Sequence, residues 1–343
     1  MYKMLRRPLR QFFIVHGLAL AIVASVDAPA YGAGAPFRLR VGYPQPSGAQ
    51  LPLWIMSEAR FDQKYGFELQ YIYISGGARL TQTLVAGDID MATTGGAVIN
   101  GILSGADLIY IAMVVPTYGF SLYARPEVKD VASLKGKIIG VMTKGASSDH
   151  AAVALLRHNN LQAGHDVKFL YLGGVREVLA ALERGIVSAG VISSPTTLAA
   201  RRLGFKEVLN IASLNLPYVH NGVVTRRALT RQQPERIKAF LRCFLAALKA
   251  ANDDAGLSKR ALARFLATND AAIIDEAYQS FLGVFPRLPY ITEDNIRAVL
   301  SVADHPQGTD RFQPDPRIPV VAEAHQGVPA GRASDAAQGG GGP

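Results

Sequence analysis

Gly76-Gly77-Ala78-Arg79-Leu80-Thr81-Gln82-Thr83-Leu84-Val85-Ala86-Gly87-Asp88-Ile89-Asp90-Met91-Ala92-Thr93-Thr94-Gly95 is a unit that the chain states twice. A glycine pair opens a short amphipathic helix, Gly87 closes it, and the strand 89–92 runs into Thr93-Thr94-Gly95. The second copy begins at Gly173-Gly174, closes its helix at Gly185 and sends the strand 187–192 into Ser193-Ser194-Pro195. Aligning Gly87 with Gly185 sets Leu84 against Leu182 and Leu80 against Val178. A glycine loop, helix and strand repeated once predicts two similar α/β lobes. Ligands of parallel α/β sheets bind at the carboxyl ends of the strands, where loops and helix N-termini gather. Two such lobes facing each other enclose a cleft suited to closing on a small solute.

Working outward, the first lobe opens with the strand 39–43 and the turn 44–48. A helix follows over about 52–64, with Pro52 in its first turn, where a missing N–H is harmless. The strand 67–74 precedes the repeated unit; a helix over 97–103 and the apolar strand 108–115 follow it. Pro116-Thr117-Tyr118-Gly119 breaks the pattern. A fresh α/β run then comprises strands 120–123, 138–143, 167–172 and 207–211, with a helix entered from Lys144 to Ser148. Leu216-Pro217-Tyr218 is the second break. After it come the strand 222–225 and helices over 234–252, 259–267, 271–282 and 292–302. Two breaks around a complete α/β unit mean that one lobe is inserted in the other. The expected domains are 37–118 with 216–304 for lobe one and 119–215 for lobe two. The fold class is α/β: two similar lobes with mixed, mostly parallel sheets, joined by a two-strand hinge.

The ends of the chain read differently. Lys3, Arg6, Arg7 and Arg10 precede a mostly apolar run over 12–26, and Ala28-Pro29-Ala30 follows. This is the pattern of a secretory signal peptide over 1–30, cleaved before Tyr31. A membrane anchor would need roughly 20 apolar residues. Arg6-Arg7 hints at twin-arginine export, but the residues after the pair suit the general secretory route better. From about His305 the chain is rich in Pro, Gly and Ala and ends in four glycines and Pro343, which predicts a flexible tail over 305–343.

The formal net charge is +9, and the first thirty residues hold four of the basic side chains and one acid, leaving +6 on the remainder. The basic residues are scattered, without aromatic interleaving, which argues against nucleic acid as a partner. A mild positive field favours anionic solutes. Cys243 is the only cysteine, so no intrachain disulfide or Cys-rich metal site can form, and its amphipathic helix makes it an inert core residue.

The stretch Val131-Ala132-Ser133-Leu134-Lys135-Gly136-Lys137-Ile138-Ile139-Gly140-Val141 resembles the start of the second lobe in periplasmic solute-binding proteins. Lys144-Gly145-Ala146-Ser147-Ser148, Leu84-Val85-Ala86-Gly87-Asp88-Ile89-Asp90 and Gln50-Leu51-Pro52-Leu53-Trp54 narrow the resemblance. They are similar to the nitrate/taurine/sulfonate-type binding proteins of ABC transporters, which have the type II periplasmic binding protein fold. The resemblance covers residues 37–304. It implies a periplasmic, monomeric receptor that delivers a small organic solute, anions included, to an ABC-transporter membrane permease, with no cofactor and no catalytic residues. A sensor subunit or an enzyme on the same fold are the alternatives. Sulfonate binders of the group often carry an aromatic and an acid where this chain has Ser193 and Ser194. Thiamine-pyrimidine synthases of the same superfamily need a Cys-rich motif that this chain lacks.

Four helix starts are expected at the cleft: after Ser47 and Gly48, with Gln50 close behind; after Gly76 and Gly77; after Gly145, Ser147 and Ser148; and after Ser193 and Ser194. In the second repeat Gly174 takes the place of Gly76. Free N–H groups and a partial positive charge at such ends suit an anionic or polar group. Ser148 and Ser194 read equally as N-caps, with Pro195 at the first helical position. Thr93 and Thr94 end a strand at a ligand-facing position or cap the next helix. Tyr43, Tyr118 and Tyr218 lie near the cleft or hinge, where each either stacks on a ligand or packs with its hydroxyl bonded. Trp54 is expected in the core. His150, His158 and His165 have no metal-binding spacing and read as solvated histidines. No signature of a Ser hydrolase, zinc protease, phosphate-binding loop or dinucleotide site is present in the sequence.

Overall fold

The structure, a computed structural model, describes residues 36–302. The expected signal peptide and the tail lie outside the described residues, as do the last two residues of the expected lobe one. β1 (Phe37–Tyr43) sends Leu39 and Val41 into the core. A 3₁₀ turn (Gly48–Gln50) leads into α1 (Leu51–Glu58), with Pro52 in its first turn. The single helix expected over 52–64 is in fact two. Arg60 adopts φ 53°, a left-handed conformation that breaks the helical ladder, and α2 (Phe61–Lys64) starts after it.

β2 (Phe67–Tyr73), α3 (Gly77–Ala86), β3 (Met91–Thr94), α4 (Gly96–Leu103) and β4 (Leu108–Thr117) complete the first run. β3 begins two residues later than its apolar pattern suggests. The Asp90 carboxylate accepts from the Arg40 amide and guanidinium, and the Asp90 amide donates to the Arg40 carbonyl, which holds 87–90 as a turn. The inserted run is β5 (Ser121–Ala124), β6 (Ile138–Val141), α5 (Ser147–His158), β7 (Lys168–Tyr171), α6 (Val175–Glu183), β8 (Ala189–Ile192), α7 (Thr196–Arg202) and β9 (Lys206–Asn210). β10 (Pro217–Arg226) then leads to α8 (Arg227–Gln232), α9 (Pro234–Asp253), α10 (Ala255–Phe265), α11 (Ala271–Gln279) and α12 (Glu293–Val302).

The strands form two five-stranded sheets with the same plan. One has the order β2-β1-β3-β10-β4 and the other β7-β6-β8-β5-β9. In each, four strands run one way and one runs against them: β10 in the first, β5 in the second. The mixed, mostly parallel α/β character expected from the sequence is therefore present. The repeated unit explains the match. Leu80 and Leu84 on α3, and Val178 and Leu182 on α6, are fully buried against their sheets. Gly87 and Gly185 end those helices at φ 89° and 72°, a region that glycine enters without strain.

The breaks at 116–119 and 216–218 fall where β4 ends, at Thr117, and β10 begins, at Pro217. β4 and β10 remain paired as far as Thr117 opposite Pro217. Beyond that pair the chain crosses to β5 through Tyr118, Gly119 and Phe120. It returns from β9 through a 3₁₀ turn (Ile211–Leu214). The Tyr118 and Tyr218 rings stack with centroids 4.0 Å apart. α12 packs against β10 and α5, and the Asn295 amide donates to the carbonyls of both Pro116 and Tyr218.

The largest apolar cluster joins the first sheet to α1, α9 and α10, with the Trp54 ring stacked on Phe265 at 5.4 Å. Trp54 and Cys243 are both fully buried there, as the sequence predicts. No helix among the described residues is long and apolar enough to cross a membrane.

Candidate functional site

A pocket lies between the two sheets, at the carboxyl ends of β1, β3 and β6. Pro44 and Gln45 come from the turn after β1, and Gln50 from the 3₁₀ turn. Gly77 opens α3, while Thr94, Gly95 and Ala97 lie where β3 meets α4. The inserted run contributes Met142, Ala146 and Ser147 around the start of α5. Phe120 comes from one crossing, and His220 and Asn221 from β10. The space between atoms is about 370 Å³, part of it open to solvent.

Direct bonds link the inserted run to the rest of the chain at the pocket. The Ser147 hydroxyl donates to the His220 carbonyl at 3.2 Å and accepts from the Gly96 amide at 3.3 Å. The Asn100 side-chain amide donates to the Gly145 carbonyl at 3.3 Å. Gly95 is required at this junction. A β-carbon there would lie 2.3 Å from the Val219 carbonyl oxygen and 2.4 Å from the Ser147 hydroxyl. A second set of bonds closes one rim. Glu276 on α11 accepts from Thr197 at 2.7 Å and from Arg201 at 2.6 Å, both on α7, and its carbonyl accepts from Ser194. Arg202 pairs with Asp270 at 3.0 Å. The hydrogen bond to Glu276 is the main reason the Arg201 guanidinium is held even more firmly protonated than usual.

Among the described residues that line the pocket, none is Lys, Arg, Asp or Glu. His220 is buried, its ring edge-on to Phe120 at 4.7 Å, and burial lowers its pKa from 6.5 to about 3, so it is neutral at physiological pH. The starts of α3, α4 and α5 converge on the pocket and supply positive dipole ends.

Of the residues that the sequence singles out, Gln50, Gly77, Thr94 and Ser147 line this pocket. The others are placed around it. Thr93 lies buried and donates to the Gln50 side-chain carbonyl at 2.6 Å. Ser47 caps the 3₁₀ turn, and Gly48 is pressed against the Ala277 carbonyl of α11. Gly76 precedes α3 at φ 85° and faces the loop of Thr143 and Gly173; Gly174 begins α6 opposite Ser75. The Gly145 amide donates to the Asp149 carboxylate. Ser148 is fully buried, and its hydroxyl accepts from the Met142 amide at 3.0 Å. Ala146, not Ser148, stands at the N-cap of α5, and Pro195, not Ser194, at that of α7. Ser193 and Ser194 are buried at the rim rather than in the pocket.

Tyr218 is fully buried, with its hydroxyl 2.8 Å from His150 Nδ1. His150 is therefore a correction to the sequence reading. It is 1% exposed because α5 turns that face onto the crossing strand, whereas His158 and His165 are exposed as expected. Among the described residues, no three His, Cys, Asp or Glu side chains are grouped to hold a metal. The sequence reading missed Gln45, Phe120, Met142, His220 and Asn221. The one available signal was position, since Gln45 lies in the turn after a strand and Asn221 lies shortly after a break.

A family model described as the NMT1-like family matches residues 32–267. A protein of Brachyspira hyodysenteriae, assigned by name to the ABC transporter periplasmic binding proteins, is 25% identical over 270 residues, which cover 73% of this chain and 75% of that one. The alkanesulfonate-binding protein of Xanthomonas axonopodis pv. citri, solved with MOPS bound, superposes with a TM-score of 0.67 at 23% identity, covering 85% of this chain and 99% of that one. The periplasmic nitrate-binding protein of Synechocystis PCC 6803 gives a TM-score of 0.61 at 17% identity, covering 73% of this chain and 70% of that one. The chain thus shares the periplasmic binding protein fold.

Proposed function

The chain belongs to the NMT1-like family, and from that premise we propose that it is a periplasmic solute-binding protein serving an ABC importer. It binds a small organic solute in the pocket between the sheets and delivers it to a membrane permease. The observation that carries the reading is that both sheet systems build the pocket, with Ser147 of the inserted run bonded to the His220 carbonyl of β10. A solute that touches both sides favours the closed arrangement over the open one, and that difference in affinity is what drives closure.

The two lobes are 37–118 with 216–304, and 119–215. They turn about the crossings near 116–120 and 212–218. The protein acts as a monomer, binds without turnover and works outside the cytoplasmic membrane after cleavage near Tyr31. N-terminal sequencing of the exported protein tests the last point, and an intact Met1 on the exported protein contradicts it. The central test is small-angle X-ray scattering of the exported protein with and without saturating solute. Closure reduces the radius of gyration. Tight binding by calorimetry with an unchanged scattering profile would sink the closing-cleft reading in favour of a preformed pocket in one lobe.

A further inference from the structure

We infer that the pocket selects an uncharged solute bearing N–H or O–H donors along one edge, in preference to an anion. The inference deepens the solute-binding reading above and rests on it.

Three atoms of the pocket lining, Gln45 Oε1, Asn221 Oδ1 and His220 Nδ1, have no hydrogen-bond partner among the described residues. Their side chains are 5%, 2% and 5% exposed. The Asn221 amide cannot be turned round. Its nitrogen donates to the Ala49 carbonyl at 3.0 Å and to Gln50 Oε1 at 3.4 Å, so its oxygen is the atom left over. The Asn221 oxygen therefore offers acceptor capacity that only a donor can use, and the unpartnered Gln45 Oε1 belongs to the same lining. Buried acceptors without a donor are costly, and a site built around them rejects a ligand that brings none.

An anion without N–H or O–H groups is such a ligand. It would set its own oxygens against Gln45 and Asn221 with no Lys or Arg in the lining to offset the repulsion. His220 does not supply a cation either, since burial keeps its ring neutral. The helix starts of α3, α4 and α5 are compatible with either class, because their N–H groups serve a neutral carbonyl or sulfonyl oxygen as well as an oxyanion. Moreover, the Gly96 amide is already engaged by Ser147. The matching solute has an acceptor facing the helix starts and donors facing Gln45 and Asn221, while the neutral His220 ring can serve either kind of group.

Isosteric pairs separate donor from charge. The probes are acetamide against acetate, methanesulfonamide against methanesulfonate, benzamide against benzoate and benzenesulfonamide against benzenesulfonate. Each is titrated into the exported full-length protein at matched ionic strength, with chloride as control and binding read by calorimetry. The neutral member of a binding pair should bind at least about tenfold tighter, and Gln45→Met should narrow that gap about three- to tenfold. If Gln45→Met fails to fold, Gln45→Glu, which keeps the acceptor, should preserve or widen the gap. Equal or tighter binding of the anions overturns the donor assignment while leaving the pocket a solute site. No saturable binding by any of the eight compounds overturns both.

Discussion

The carbonyls of Pro116 and Tyr218, one on each strand that crosses between the sheets, converge on a single amide nitrogen, that of Asn295, at 3.0 and 3.1 Å. Asn295 is buried, and Thr292 fixes its orientation through the side-chain oxygen. α12 thus pins the two crossings to each other just behind the pocket. Asn295→Ala leaves both carbonyls without this donor and should cost about 1–3 kcal/mol in urea unfolding. Asn295→Asp should be worse at neutral pH, because a carboxylate would face two carbonyl oxygens. An alanine variant as stable as the parent would remove the pin.

Ser147 and Ser148 are neighbours with opposite tasks. Ser147→Ala removes a bond that spans the pocket and should weaken solute binding about three- to tenfold at little cost in stability. Ser148→Ala strands the buried Met142 amide and should destabilise the fold by about 1–3 kcal/mol. Calorimetry and urea denaturation of both variants distinguish the two roles; the reverse pattern would exchange them.

The rim contact is a partly exposed network, so its contribution is modest. Glu276→Gln keeps the shape but removes the charge that Arg201 meets, and should weaken the closed state by about 0.5–1 kcal/mol. Solute affinity then falls about two- to fivefold. A double-mutant cycle with Arg201→Met measures the coupling directly, and zero coupling would show that the rim does not assist closure.

His220 gives the fold a pH signature. Its folded pKa, about 3, lies below the ordinary 6.5 because the ring is buried. Both states are neutral above pH 6.5, so the ring costs nothing there. As pH falls from 6.5 toward 3, the unfolded chain takes up a proton that the folded one refuses, and stability is lost by roughly 1.4 kcal/mol per pH unit at most. Denaturation curves at pH 7 and 4.5 should show a steeper loss for the parent than for His220→Gln. Equal slopes would mean that the ring is hydrated in the folded state.

The repeat was legible because each unit is local. A glycine, a helix with a buried leucine stripe and a strand fit in some twenty residues, and Gly87 and Gly185 mark the same turn in both sheets. The pocket was legible at Gly77 and Thr94, which belong to that unit, and at Gln50 and Ser147, which stand at two other helix starts. His220 and Asn221 fall between the expected break at 216–218 and the expected strand 222–225, and only the placing of β10 between β3 and β4 brings them to the end of β1. His150 looked solvated because its partner, Tyr218, lies 68 residues further along the chain, on a crossing strand. Arg60 looked helical because no residue type there announces a left-handed turn.

The strand order of the first sheet also governs when that sheet can form. β10 lies between β3 and β4, yet the chain supplies it only after the whole inserted run has been made. Until then β3 and β4 present unpaired edges, and the segment before residue 117 has a gap at the centre of its sheet. Pairings between such distant partners form slowly, because the entropy of closing a long loop is lost before any contact repays it. A fragment ending near residue 214 should therefore remain unfolded or aggregate. On the export route proposed above, that delay would keep the chain in a translocatable form.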